Sequence, residues 1–178
     1  MVFIYKGFLF RELTRLGEGF ILYKVVYATK KIMPHRKYIL EESLGYAMGR
    51  ATRSMGSLVN RYFAREGYDV TCEQWSVLFN LGKKNGQSQQ ELAVLICKDK
   101  TSVTRLIDNM EKHSLVVRIP DKSDRRQKLI YLTKKGRDLQ EKLILVIQQA
   151  QLEAQKSISI NDIEICKKVL NQIYDNIK

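Results

Sequence analysis

Residues 99–136 read DKTSVTRLIDNMEKHSLVVRIPDKSDRRQKLIYLTKKG, and the changes of pattern within them decide the fold. Asp99 is suited to cap a helix, and Val103, Leu106, Ile107 and Met110 then recur at steps of three and four, the spacing of one apolar helix face. After Ser114 the pattern becomes extended. Leu115, Val116, Val117, Arg118 and Ile119 run to Pro120, and Leu129 to Leu132 form a similar run, so the two predict a hairpin. Between them lies DKSDRRQK (121–128), too polar for a core and too long for a two-residue turn, hence an exposed basic loop.

Upstream, helical spacing runs from Leu40 through Leu44, Met48, Ala51, Met55, Leu58, Tyr62 and Phe63, predicting a long helix that ends near Gly67. Thr71-x-x-Gln74 and Ser88-x-x-Glu91 are two capping boxes, each opening a short helix. The first carries Trp75, Leu78, Phe79 and Leu81; the second carries Leu92, Val94, Leu95 and Ile96. Downstream, Thr133 opens a long helix with Leu139, Leu143, Ile147, Ala150 and Ala154 on one stripe. Ser159 and Asp162 open the last, with Ile163, Cys166, Leu170, Ile173 and Ile177. The expectation is a mainly α (α+β) chain: a winged helix-turn-helix with a two-stranded wing, plus long amino- and carboxyl-terminal helices. Residues 1–33 read as a poorly specified extension, and Met33 is a candidate start. Residues 34–178 read as one subunit, with a winged-helix lobe over 67–133 and a helical lobe from 34–66 and 134–178.

Charge points to the partner. The chain has 178 residues, 31 Lys+Arg and 19 Asp+Glu, for a formal net charge of +12. Residues 98–128 hold nine basic and five acidic side chains, whereas residues 67–97 hold two and three, so the excess gathers in the middle of the chain. Such a patch suits a polyanion. A recognition helix enters the major groove with its amino-terminal turns, where Lys100, Thr101, Ser102, Thr104 and Arg105 supply donors, acceptors and a methyl group. Arg105 can contact guanine in bidentate fashion, and Lys100 and the hydroxyls can equally bind phosphate. Arg125 and Arg126 can reach outward from the loop, where a narrow minor groove attracts guanidinium groups. Asp124 could orient Arg126 through a charge-assisted hydrogen bond or could simply shape a solvated turn.

At these residues the chain resembles the MarR (multiple antibiotic resistance regulator) family of bacterial transcription factors. The likeness rests on TSVTRLIDNMEKHSLVVRIPD followed by DKSDRRQKLIYLTKKG, with the family's D-x-R wing motif at Asp124 and Arg126. In element order it runs from about Ser43 to the carboxyl terminus, and it is strongest from Gln74 to Gly136. The resemblance implies that Arg126 enters the minor groove and that Thr101, Ser102, Thr104 and Arg105 sit in the major groove. It also implies a homodimer built from the first and the last two helices, and a pocket for a small aromatic or anionic ligand. Tyr46, Arg50, Arg53 and Trp75 fall where that pocket is expected. The run Leu143–Ile147 is apolar on all sides, more than one subunit's helix face needs, so either a partner covers part of it, which supports a dimer independently, or it is buried within the monomer. The implied role is a repressor on a pseudo-palindromic operator, although activation suits the residues equally.

Other classes find less support. Cys72, Cys97 and Cys166 are odd in number and widely spaced, as in a reduced cytoplasmic chain, and the first helix lacks the cysteine by which some relatives sense oxidants. Cys72 lies in a first helical turn, where the dipole can lower a thiol pKa or burial can make it structural. His35 and His113 have no clustered carboxylates, so no metal or cofactor is expected. No nucleophile–base constellation or phosphate-binding glycine loop is present, which argues against an enzyme. Lys24 interrupts the most apolar stretch, Phe20 to Ala28, so no membrane span is expected; no membrane partner is expected of residues 34–178, and membrane-surface binding is an alternative confined to residues 1–33. The remaining alternative is a winged helix that binds proteins without DNA, a use that would need neither Arg125 nor Arg126.

Overall fold

The structure is a computed structural model in which residues 39–177 are described. The expectations for residues 1–33, and for Met33 as a start, lie outside these. One compact unit ends at Ala47, and a second runs from Met48 to the carboxyl terminus. In the first, Leu40–Glu42 forms a 3-10 turn. Ser43 Oγ donates to Leu40 O (2.6 Å) and accepts the amide of Tyr46 (3.2 Å). That cap moves the start of the first helix from the expected Leu40 to Leu44, so helix α1 spans Leu44–Arg65.

In the second unit α1 contributes Leu58, Val59 and Phe63 to the core. It stops where Gly67 turns to φ +77°, with Tyr68 N donating to Phe63 O (2.8 Å) and Gly67 N to Ala64 O (3.1 Å). This left-handed exit favours glycine. Helix α2 (Cys72–Lys83) starts at the Thr71–Gln74 capping box, and α3 (Gln89–Leu95) starts at the Ser88–Glu91 box. Asp99 caps α4 (Lys100–Lys112), whose Val103, Ile107 and Met110 are fully buried. Strands β2 (Val116–Pro120) and β3 (Lys128–Leu132) pair antiparallel, Arg118 opposite Ile130.

Sequence reasoning missed a strand. Gln87–Ser88 (β1) pairs antiparallel with β3, adding a third strand to the expected two-stranded wing of β2 and β3 in a sheet of order β1-β3-β2. Two polar residues carry no alternating pattern, so only the fold reveals them. A second difference lies in α3. With two turns only, α3 turns Leu92 and Ala93 inward and leaves Val94 and Leu95 exposed, against the four-residue apolar face expected.

Helix α5 (Lys134–Ala154), capped by Thr133, buries Leu143, Val146 and Ala150 against the core and packs on α2. Leu145, inside the expected all-round apolar run, is exposed. Helix α6 (Ile160–Ile177) opens at Ser159, whose hydroxyl accepts the amide of Asp162 (3.1 Å). It buries no residue. Ile165, Val169, Leu170, Tyr174 and Ile177 are all exposed. Among the described residues no helix is long and apolar enough to cross a membrane.

Candidate nucleic-acid interface

The amino-terminal turn of α4 is built by Asp99. Its carboxylate accepts Ser102 N (2.9 Å) and Ser102 Oγ (2.6 Å), and these bonds, the hydroxyl's first, hold its carboxyl below the usual range. The cap is therefore intact at neutral pH and is lost only when acid protonates it. Ser102 and Thr104 are thus partly spoken for: Thr104 Oγ1 donates to Lys100 O (2.9 Å) and accepts from Gln89 Nε2 of α3 (2.9 Å). What Thr104 still offers is a methyl group and one lone pair. Lys100, Thr101 and Arg105 are exposed and make no side-chain hydrogen bond or ion pair among the described residues.

The wing loop is shaped by its two aspartates. Asp121 accepts Ser123 N (2.7 Å) and Ser123 Oγ (2.6 Å), and Asp124 Oδ1 accepts Arg126 N (3.0 Å). Asp121 N donates to Gln127 O (2.9 Å) and Gln127 N to Asp124 O (2.9 Å), closing the tip. Of the two readings of Asp124, the structure shows the turn: it holds the backbone of Arg126, leaving the guanidinium exposed. Lys122, Arg125, Arg126 and Lys128 are likewise exposed without a carboxylate partner among the described residues. The contrast is Lys98, just before α4, which pairs with Glu73 at 2.5 Å.

Two features behind this surface were not read from sequence. Arg118 of β2 donates from Nη2 to Asp108 Oδ1 (2.6 Å) and from Nη1 to Glu111 Oε2 (2.5 Å), both on α4. Buried Gln74, besides completing its capping box, donates from Nε2 to Asn109 Oδ1 (2.7 Å), tying α2 to α4. The one available signal was the i, i+3 spacing of Asp108 and Glu111, which puts two carboxylates on one helix face.

The residues expected near a ligand separate. Arg53 lines an open groove of about 570 Å³ with Ser54, Ser57, Leu58, Arg61 and Glu153, but neither Arg50 nor Trp75 lines it. Arg50 is exposed on α1, and Tyr46 belongs to the unit ending at Ala47. Trp75 packs against the core and tilts against Phe79, ring centroids 5.4 Å apart. At the groove's edge the Tyr62 hydroxyl donates to Glu153, which pushes the phenol's pKa up. Cys72 is half-buried, and burial, with the Glu73 carboxylate, pushes its thiol up.

Known proteins share this chain's family and fold. The model of the MarR family matches residues 70–128, the span from α2 through the wing loop. The chain is 35% identical over 123 residues to the transcriptional activatory protein BadR of Rhodopseudomonas palustris, covering 65% of this chain and 68% of BadR. Its fold matches a MarR mutant from E. coli complexed with operator DNA (TM-score 0.70, 21% identity, 77% of this chain and 99% of that one). It also matches BpsR of Bordetella bronchiseptica, whose DNA binding is regulated by 6-hydroxynicotinic acid (TM-score 0.71, 21% identity, 78% and 97%). With family model, relative and fold in agreement, the chain belongs to the MarR family of transcriptional regulators.

Proposed function

We propose that the chain is a cytoplasmic, ligand-responsive repressor that binds a pseudo-palindromic operator as a homodimer. Residues 67–133 form its DNA-binding lobe, and residues 34–66 and 134–178 form its dimerisation lobe. Lys100, Thr101, Ser102, Thr104 and Arg105 face the major groove. Arg125 and Arg126, on the turn that Asp124 shapes, reach the minor groove. The observation that carries this reading is the set of six exposed cations, Lys100, Arg105, Lys122, Arg125, Arg126 and Lys128, without a carboxylate partner among the described residues. Unpaired charges gathered on a helix end and a wing suit phosphate and base edges. The apolar, unburied α6 supports the dimer.

The test begins with duplexes selected from genomic fragments. Arg105→Ala is expected to cost about 1–3 kcal/mol and to relax one base position. Arg126→Ala is expected to weaken binding and to lower the slope of log K against log salt by about 0.9. If neither substitution changes affinity in a gel-shift titration, the assigned surface is wrong.

Arg53 in its groove, with an aromatic acid acting on BpsR, supports an aromatic or anionic inducer; Tyr46, Arg50 and Trp75 remain its other proposed contacts. Calorimetry with a panel of aromatic carboxylates should register heat and a loss of operator affinity, both removed by Arg53→Ala. No heat from any member of the panel would remove the inducer from this reading. A second reading, activation, is favoured by the description of BadR as an activatory protein. A promoter fusion assayed with and without the regulator gives the sign.

A further inference from the structure

The described ion pairs differ in one respect. Arg118 is only 14% exposed, whereas the basic partners of the other pairs, on Arg65, Lys84, Lys98 and Lys167, are at least 44% exposed. Exposed pairs of that kind hold little geometry. Arg118 is held at three points: its two guanidinium nitrogens reach Asp108 and Glu111, and its amide donates to Glu111 Oε1 (3.2 Å). Because β2 is an edge strand, alternate amides face away from β3, and this one would otherwise lack a partner on that side. A planar guanidinium bridging carboxylates one turn apart constrains direction as well as distance, which a lysine ammonium cannot.

The position of the bridge gives it a use. Asp108 lies one turn beyond Arg105 on α4, and Arg118 lies three residues before the wing loop opens at Asp121. We propose that Arg118 is a positioning residue for DNA recognition: by bridging Asp108 and Glu111 it locks the wing to the recognition helix, so that both are presented to DNA at one fixed spacing. The inference rests on the DNA surface proposed above. Stability alone is a weak reason for such a bridge, since desolvating the guanidinium offsets much of the attraction, and the two acids are 51% and 39% exposed, wet enough to be left without it. Orientation is what an apolar side chain of similar length would not supply.

The experiment compares the wild type with Arg118→Met, and with the double variant Asp108→Asn plus Glu111→Gln, which leaves the arginine in place should the methionine variant fail to fold. Each is titrated on the selected duplex. Each is also titrated on duplexes with one base pair inserted between the base position that Arg105→Ala relaxes and the minor-groove site whose hydroxyl-radical protection Arg126→Ala removes. In the wild type the insertion should weaken binding about 10- to 100-fold, the size of a lost base contact. In the variants, with unaltered melting, it should weaken binding less than about 3-fold, because a loose wing finds its groove at either spacing. Arg118→Lys, reaching one carboxylate, should fall between. If the variants bind the spaced duplexes with the wild-type penalty, Arg118 is only structural and the inference is overturned. Failure of the wild type to bind any duplex would instead overturn the DNA surface on which it rests.

Discussion

Gly136→Ala is expected to lower the stability of the chain by about 3 kcal/mol or more, the range of a core clash that forces backbone to move. Gly136 is buried in the first turn of α5, where its amide donates to Thr133 Oγ1 (3.0 Å). An added Cβ would lie 2.0 Å from the carbonyl oxygen of Leu115 and 3.0 Å from its carbonyl carbon. That oxygen cannot step aside cheaply, because it accepts both Thr133 N (3.1 Å) and Thr133 Oγ1 (3.2 Å). The clash therefore sets the start of α5 against the residue preceding β2 and breaks the cap of one or the bonds of the other. Alanine's better helix propensity returns only about 1 kcal/mol. Thermal unfolding followed by circular dichroism should show a melting temperature lower by roughly 10 °C, given about 2–4 °C per kcal/mol at this chain length. A variant melting within about 2 °C of the wild type would show that Leu115 and α5 can slide apart freely. The DNA surface would then not be braced from this side.

How far the sequence speaks depends on whether the interactions are local. Caps are local: Thr71, Ser88, Asp99 and Thr133 each bond an amide three residues on, and all four helices they open were legible. So was the hairpin, because each strand carries its own run of extended formers. Strand β1 was not, since Gln87 and Ser88 become a strand only when β3, some forty residues later, lies beside them. The exposed cations on α4 and the wing could be read because solvent-facing groups are named by local pattern alone. The brace behind them could not. Arg118 finds Asp108 and Glu111 only after chain reversal brings β2 back along α4, and Gln74 finds Asn109 across 35 residues. The ligand quartet was the least legible. A groove is a relation among elements, and of those four residues Arg53 alone lines the one between α1 and α5.

Charging the face of α6 is expected to have the largest effect on DNA affinity of any change outside the DNA surface. An isolated 18-residue helix is marginal in water and gains its stability from packing, yet no residue of α6 is fully buried, and only Ile163 and Ile173 are partly so. Ile165 and Val169, 61% and 47% exposed, recur at helical spacing with Cys166, Leu170, Ile173 and Ile177, more apolar surface than solvent contact explains. A second copy of the chain, related by a twofold axis, would cover it with the same face of its own helices. Ile165→Asp combined with Val169→Asp puts two carboxylates where that contact would be dry, so light scattering should report monomers at concentrations where the wild type is a dimer. Operator affinity should then fall by about 10²- to 10⁴-fold, because the second half-site is no longer reached at the high effective concentration that a tethered partner supplies. The winged-helix lobe should keep its fold, since the core, from Leu58 to Ala150, includes no residue of α6. A single half-site duplex separates the two effects: its binding to each subunit should be nearly the same in both proteins. A wild type that is monomeric under these conditions, or a charged variant that still pairs, would mean that α6 is covered by something other than a second copy.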